Sequence, residues 1–217
     1  MKTDSEIKQE VMDELCWDPC IEETNIGVAV KDGVVTLSGS VESYFEKMSA
    51  ESAAFRVSGV KAMANEINVK LPNASERPDE DIAKAAINAF KWDTAIPYDR
   101  IKVSVEKGKV TLHGEVNWRF QKDAAERSVC NLRGVRIVVN EITVKPKIKP
   151  EDIKAKIANA LQRSAALDAK QITVEASGSK VILRGKVRSW AERVEAGKAA
   201  WAAPGVSEVQ NEIEISL

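Results

Sequence analysis

The chain has 217 residues, of which 44% are apolar and 30% charged, with 32 basic against 33 acidic side chains. That balance gives enough apolar material for folded cores and lacks the basic excess that a binder of bulk nucleic acid needs. No run approaches the ~18 apolar residues of a membrane span, and three cysteines (Cys16, Cys20, Cys130) are too few and too scattered for a disulfide framework. The opening "MKTDSEIKQE" has no apolar leader region, so the expected location is the cytoplasm, with thiols reduced.

In chain order, Ile7, Val11 and Leu15 at i, i+4, i+8 predict an amphipathic helix. It runs into "CWDPC" at 16–20, where two thiols, a tryptophan and an aspartate crowd together. Two cysteines cannot complete a four-ligand zinc site, and C-x-x-x-C is not the C-x-x-C redox spacing, so this stretch is read as a helix end and no metal is expected. Ile26, Val28 and Val30 alternate as a strand, "KDG" turns the chain, and Val35, Leu37 and Val41 put a second strand's apolar face in phase with Gly39. Ala50, Ala53, Ala54 and Val57 then form the apolar face of a second helix. Small alanines opposite a strand glycine predict close approach of that helix to the sheet. Gly59 fits a left-handed helix end, and a last strand reaches Asn65-Glu66-Ile67.

The same order returns twice. "VTLSGSV" at 35–41 recurs as "VTLHGEV" at 110–116 and "VILRGKV" at 181–187, and Gly59 recurs as Gly134 and Gly205. The first helix recurs through Ile82, Ala86 and Phe90, then Ile153, Ile157 and Leu161. The predicted fold is α+β: three tandem αββαβ repeats, each with two helices on one face of a three-stranded mixed sheet. The expected domains are 1–72, 79–146 and 150–217, joined by linkers at 73–78 and 147–149. Charge is uneven: residues 1–73 carry 7 basic and 13 acidic side chains, 74–146 carry 13 and 11, and 147–217 carry 12 and 9. The first repeat is the acidic one.

The αββαβ unit with "GVVTLSGSV", "GV" and "NEI" resembles the BON domain of bacterial envelope and osmotic-stress proteins, and all three repeats share the resemblance. It implies association with phospholipid membranes and, from a cytoplasmic relative, potassium binding. No cofactor is implied.

Several residues invite a site reading. Cys16 and Cys20 have no counterpart in the other repeats, which hold Lys91 and Ala95 at those places. His113, the one histidine, alternates out of phase with its core-facing neighbours and has no nucleophile near it in sequence; "EASGSK" at 175–180 is a hairpin turn and no phosphate loop. An enzyme is not expected. The Asn-Glu pairs at 65–66, 140–141 and 211–212 could offer oxygens to a cation, although a side-chain amide at such a place more often satisfies backbone groups. Asp13, Glu14, Asp18, Glu22 and Glu23 make the first helix end the cation-attracting region.

On the second helix, Tyr44, Met48 and Phe55 lie opposite the alanine face; repeat 3 has Trp190, Val194 and Trp201 there, and repeat 2 has Arg119, Asp123 and Cys130. Such an apolar stripe needs a cover. It either packs against neighbouring repeats or meets a membrane or protein partner. The leading expectation is peripheral association with an anionic phospholipid surface, at the inner membrane, through the Trp190–Trp201 stripe with Arg188, Arg193 and Lys198 nearby. The alternatives are a cytoplasmic potassium or other cation sensor and a protein-interaction scaffold.

Overall fold

The computed structural model describes residues 2–145, 153–163 and 171–216. The linker expected at 147–149 lies outside the described residues. In repeat 1, helix α1 (Asp4–Trp17) precedes strands β1 (Ile26–Lys31) and β2 (Val34–Val41), then helix α2 (Tyr44–Arg56) and a last strand in two segments, β3 (Ala62–Asn65) and β4 (Asn68–Val69). Repeat 2 comprises α3 (Asp79–Trp92), β5 (Ile101–Glu106), β6 (Lys109–Val116), α4 (Arg119–Cys130) and β7 (Ile137–Val144). Repeat 3 comprises α5 (Ile153–Arg163), β8 (Ile172–Ser177), β9 (Lys180–Val187), α6 (Trp190–Trp201) and β10 (Glu208–Ile215).

Each sheet is mixed, as the repeat pattern predicts. The hairpin strands pair antiparallel, and the last strand runs parallel to the second, which is central. The parallel register is the same three times, with Val34 opposite Ala62, Lys109 opposite Ile137, and Lys180 opposite Glu208. It also continues across the gap in repeat 1, where Val41 faces Val69. The first helices bury the predicted trios at 3% exposure or less, so three cores form, one per repeat.

Short polar side chains hold the helix starts. Thr3 accepts from the backbone N–H of Glu6, whose carboxylate accepts in return from the Thr3 N–H at 2.7 Å, a capping box. Those hydrogen bonds keep the Glu6 carboxyl below its usual pKa. Glu46 and Gln121 do the same work for α2 and α4, accepting backbone N–H groups of Glu42 and of Trp118. Asp4 and Asp79, at the starts of α1 and α3, reach across to accept both N–H groups of the neighbouring hairpin turn, Asp32-Gly33 and Lys107-Gly108. These turns sit at positive φ, the geometry of a tight two-residue hairpin.

The strand glycines differ from the sequence expectation. They do not admit the alanine face of the second helix. A Cβ on Gly39, Gly114 or Gly185 would lie 2.0, 2.2 and 1.9 Å from the carbonyl oxygens of Asn25, Arg100 and Gln171. The close approach is made by the backbone just before the first strand, paired edge to edge with the glycine, as in Ile26 opposite Gly39. All three glycines sit at φ between 111° and 147°. The alanines are needed independently, to seat the helix, and Ala50, Ala53 and Ala54 are fully buried.

Candidate functional site

The second helix of each repeat is fastened to the last strand by one repeated device. Asn65, Asn140 and Asn211 accept the backbone N–H two residues on at 3.2–3.3 Å. Their amide nitrogens donate into the helix, to Glu51, to Glu126 and the Lys122 carbonyl, and to the Arg193 carbonyl. A cation returns the contact: Lys47, Lys122 and Arg193 donate to the carbonyls of Ile67, Ile142 and Asn211. Burial pulls the Lys122 pKa down. The asparagines therefore spend their oxygens on backbone groups and occupy a structural position.

The apolar stripes of the second helices turn inward on one another. Tyr44 of repeat 1 is 9% exposed and belongs to the core of repeat 2, with Met48 and Cys130 packed at its edge. Burial, with the nearby Cys130 thiol and Glu126 carboxylate, pushes the Tyr44 pKa up to about 12, and burial raises Cys130 to about 11. Arg119 of repeat 2 lays its guanidinium 5.0 Å over the ring of Trp201 in repeat 3. Trp190 of repeat 3 stacks on Phe55 of repeat 1, with centroids 4.2 Å apart and planes inclined by 12°. Tyr44, Arg119 and Trp190 are equivalent positions, and so are Phe55, Cys130 and Trp201. The first residue of each second helix thus meets the eleventh-following position of the next, from repeat 1 to 2, 2 to 3 and 3 back to 1. The contacts are cyclic.

A second set of contacts follows the same order. Arg136 of repeat 2 donates to the Val69 carbonyl at the end of repeat 1 and pairs with Glu76 of the linker at 2.9 Å. Its counterpart Lys61 in repeat 1 lines a cleft with Ile215 and Ser216 of repeat 3. Of the six stripe residues expected to meet a membrane or partner, Val194 is the most open at 39%, while Phe55, Trp190 and Trp201 are half-buried in the joints. Neighbouring repeats cover Tyr44, Phe55 and Trp190, while Val194 stays open.

The acidic end of α1 is partly neutralised. Arg56 donates to Glu14 at 2.6 Å and to Asp18 at 3.2 Å, and Asp13 accepts from Gln9. Glu22 gives its backbone N–H to Glu46, and Glu23 opens a short 3-10 turn. The Arg56 contact and the Cys20 N–H, the latter the larger effect, hold the Asp18 carboxyl below its usual range. Among the described residues no group of three or more His, Cys, Asp or Glu could hold a metal ion. His113 lies on the open face of its sheet with Nδ1 2.9 Å from Glu141. Cys16 and Cys20 are exposed at the end of α1.

Among the described residues, two not singled out as site candidates are the most exposed large apolar side chains: Trp17 at 83% and Trp92 at 90%. They occupy equivalent positions, the last residues of α1 and α3. Repetition of tryptophan at a helix end was the signal available in the sequence. Lys84, Ile87 and Lys91 share the solvent side of α3 at i, i+3, i+7, with Lys84 paired to Glu80 at 2.6 Å, and Lys91 and Asp93 flank Trp92 in sequence. Trp17 instead has Glu10, Asp13 and Glu14 about it.

Three small α+β units of one topology in a closed order define a tandem-repeat protein. The BON domain model matches residues 3–70, 78–146 and 150–216, and the chain belongs to the BON-domain family. It is 29% identical over 156 residues to osmotically-inducible protein Y of Escherichia coli (strain K12), covering 65% of this chain and 73% of that protein. Solved structures of CdsD, a structural protein of the type III secretion system of Chlamydia trachomatis, align over 96% of this chain and 91% of theirs at 13% identity and a TM-score of 0.27. Its C-terminal domain aligns over the whole of both chains at 12% identity with the same TM-score.

Proposed function

We propose that this is a non-enzymatic, stress-associated binding protein that attaches peripherally to anionic phospholipid surfaces, and that the end of α3 in repeat 2 makes the contact. The observation that carries the reading is Trp92, left 90% exposed on a folded helix. An indole with so little protein cover fits the interfacial zone of a bilayer, and the adjacent Lys91 suits anionic headgroups. Trp17 is similarly exposed, but Glu10, Asp13 and Glu14 outnumber Arg56 around it, an excess that anionic lipid repels. The kinship with osmotically-inducible protein Y supports the stress association. No helix among the described residues is long and apolar enough to cross a membrane, and surface attachment needs none. The stripe residues Trp190 and Trp201, half-buried in the joints, take a supporting part in holding repeat 3.

Vesicle flotation tests this. Wild-type protein should float with anionic vesicles and remain behind with neutral ones. Trp92→Ser should lose most of the floated fraction while Trp17→Ser keeps it. Equal flotation of wild type and Trp92→Ser would remove the contact site, and no flotation with either lipid would end the membrane reading.

A further inference from the structure

The device that fastens each second helix to its last strand is complete in repeats 1 and 2 and lacks one part in repeat 3. In the first two repeats it has three members. A cation, Lys47 or Lys122, is followed four residues on by a carboxylate, Glu51 or Glu126, and both face the asparagine, Asn65 or Asn140. Cation and carboxylate stand one turn apart on the same side of the helix. In repeat 2 the Asn140 amide nitrogen donates twice, to the Lys122 carbonyl at 3.1 Å and to the Glu126 carboxylate at 2.9 Å.

Repeat 3 keeps the cation as Arg193 and the asparagine as Asn211, but has Gly197 at the place of the carboxylate. Two donors are left over. The Asn211 amide nitrogen donates to the Arg193 carbonyl at 2.9 Å, and a Cβ built on Gly197 would lie 3.3 Å from that nitrogen, so the deleted side chain would begin beside it. Arg193 gives a terminal nitrogen to the Asn211 carbonyl at 2.9 Å and rests its guanidinium 4.7 Å over the Trp190 ring. Its Nε is buried and, among the described residues, has no acceptor. A buried N–H without an acceptor is uncommon and costly, more so on a charged group. The nearby carboxylates are engaged elsewhere: Glu192 with Arg188, Glu195 with Lys198, and Glu212 with Arg184.

We infer that this place in repeat 3 binds a small free carboxylate, the size of acetate or propionate, held by the Arg193 Nε–H and the Asn211 amide. The change from glutamate to glycine takes away a short aliphatic stem and its carboxylate, and so sets both the charge and the size of the occupant. Gly197 is half-buried and lines the groove between α4 and α6, which gives access from solvent. The site is separate from the exposed end of α3 and does not rest on the vesicle reading.

The test follows the Arg193 Nε–H resonance by nuclear magnetic resonance of the full, isotope-labelled chain. That resonance is identified by its loss in Arg193→Lys, which installs the cation of repeats 1 and 2. Acetate should shift it saturably, with half-saturation in the millimolar range, and should shift the Asn211 side-chain amide with the same dependence. Chloride at equal ionic strength, and pivalate, too wide for the place of one glutamate side chain, should each act at least tenfold more weakly. Gly197→Glu ties the carboxylate to the helix as in repeats 1 and 2, and should reduce the response to acetate at least tenfold. Should that variant fold poorly, the comparison of acetate with chloride and pivalate on the wild type decides alone. No saturable shift would leave the Nε–H to water and overturn the assignment. Equal responses to acetate and chloride, equal responses to acetate and pivalate, or an unchanged acetate response in folded Gly197→Glu would overturn it too.

Discussion

Replacing Trp190 tests whether the three repeats are closed into a cycle or merely strung along the chain. Its ring stacks on Phe55 at 4.2 Å and also receives the Arg193 guanidinium at 4.7 Å. A half-buried indole covers roughly 100 Å² of apolar surface, which at ~25 cal/mol per Å² contributes about 2.5 kcal/mol. The stacked geometry adds about 1 kcal/mol, so Trp190→Ala should cost on the order of 3 kcal/mol and Phe55→Ala about 2. The diagnostic quantity is the coupling between them, because the residues lie in the first and third repeats. Urea unfolding of the wild type, both single variants and the double variant should give a coupling of about 1 kcal/mol. If the repeats unfold in separate steps, the coupling belongs to the step that parts repeat 3 from repeat 1. Small-angle scattering of Trp190→Ala should show a larger radius of gyration. A coupling below about 0.3 kcal/mol, within the additivity of unrelated sites, with an unchanged radius would refute the closed order.

Two further outcomes follow from the geometry. Gly114→Ala would press a methyl to 2.2 Å from the Arg100 carbonyl at φ 147°, and should cost several kcal/mol or prevent folding of repeat 2; Gly178→Ala, which meets nothing within 4 Å, should cost about 1 kcal/mol, and thermal unfolding of the pair separates steric from generic effects. For Tyr44 the folded-state pKa of about 12 stands above the ordinary tyrosine value of 10.0, so the folded protein holds the proton more tightly. Its contribution to stability is complete below pH 10 and is lost as pH rises through 10 to 12. In a Tyr98→Phe background the phenolate absorbance should therefore appear late and together with unfolding, and titration near pH 10 in the folded protein would contradict its burial in repeat 2.

How much the sequence disclosed depends on whether the cause of a feature lies within one repeat. Ile7, Val11 and Leu15 and their counterparts read clearly because a helix face and its core belong to the same sixty-odd residues, and threefold recurrence removes chance agreement. Gly39 was legible as a close approach, but its partner was not, since the Asn25 carbonyl leaves no side-chain pattern. The stripes on α2 and α6 were visible as apolar positions that need covering. Their covers, Tyr44 by repeat 2 and Trp190 by Phe55, depend on how repeats dock, which no periodicity encodes. Trp17 and Trp92 stood in plain view at equivalent positions, but an indole at a helix end is equally suited to packing inward, and exposure decided between the two.

The cyclic contacts bear on how such a chain can be arranged. An open array of repeats has two outer units with one neighbour each, and these need specialised polar ends. Here repeat 1 touches repeat 3 as well as repeat 2, and Lys2, Thr3, Asp4 and Ile7 line one cleft with Ile215 and Ser216. Among the described residues no repeat occupies an end position in space, since each meets both of the others. What fixes each repeat's place is its pair of joint residues, Tyr44 with Phe55, Arg119 with Cys130, Trp190 with Trp201, and not its turn in the sequence.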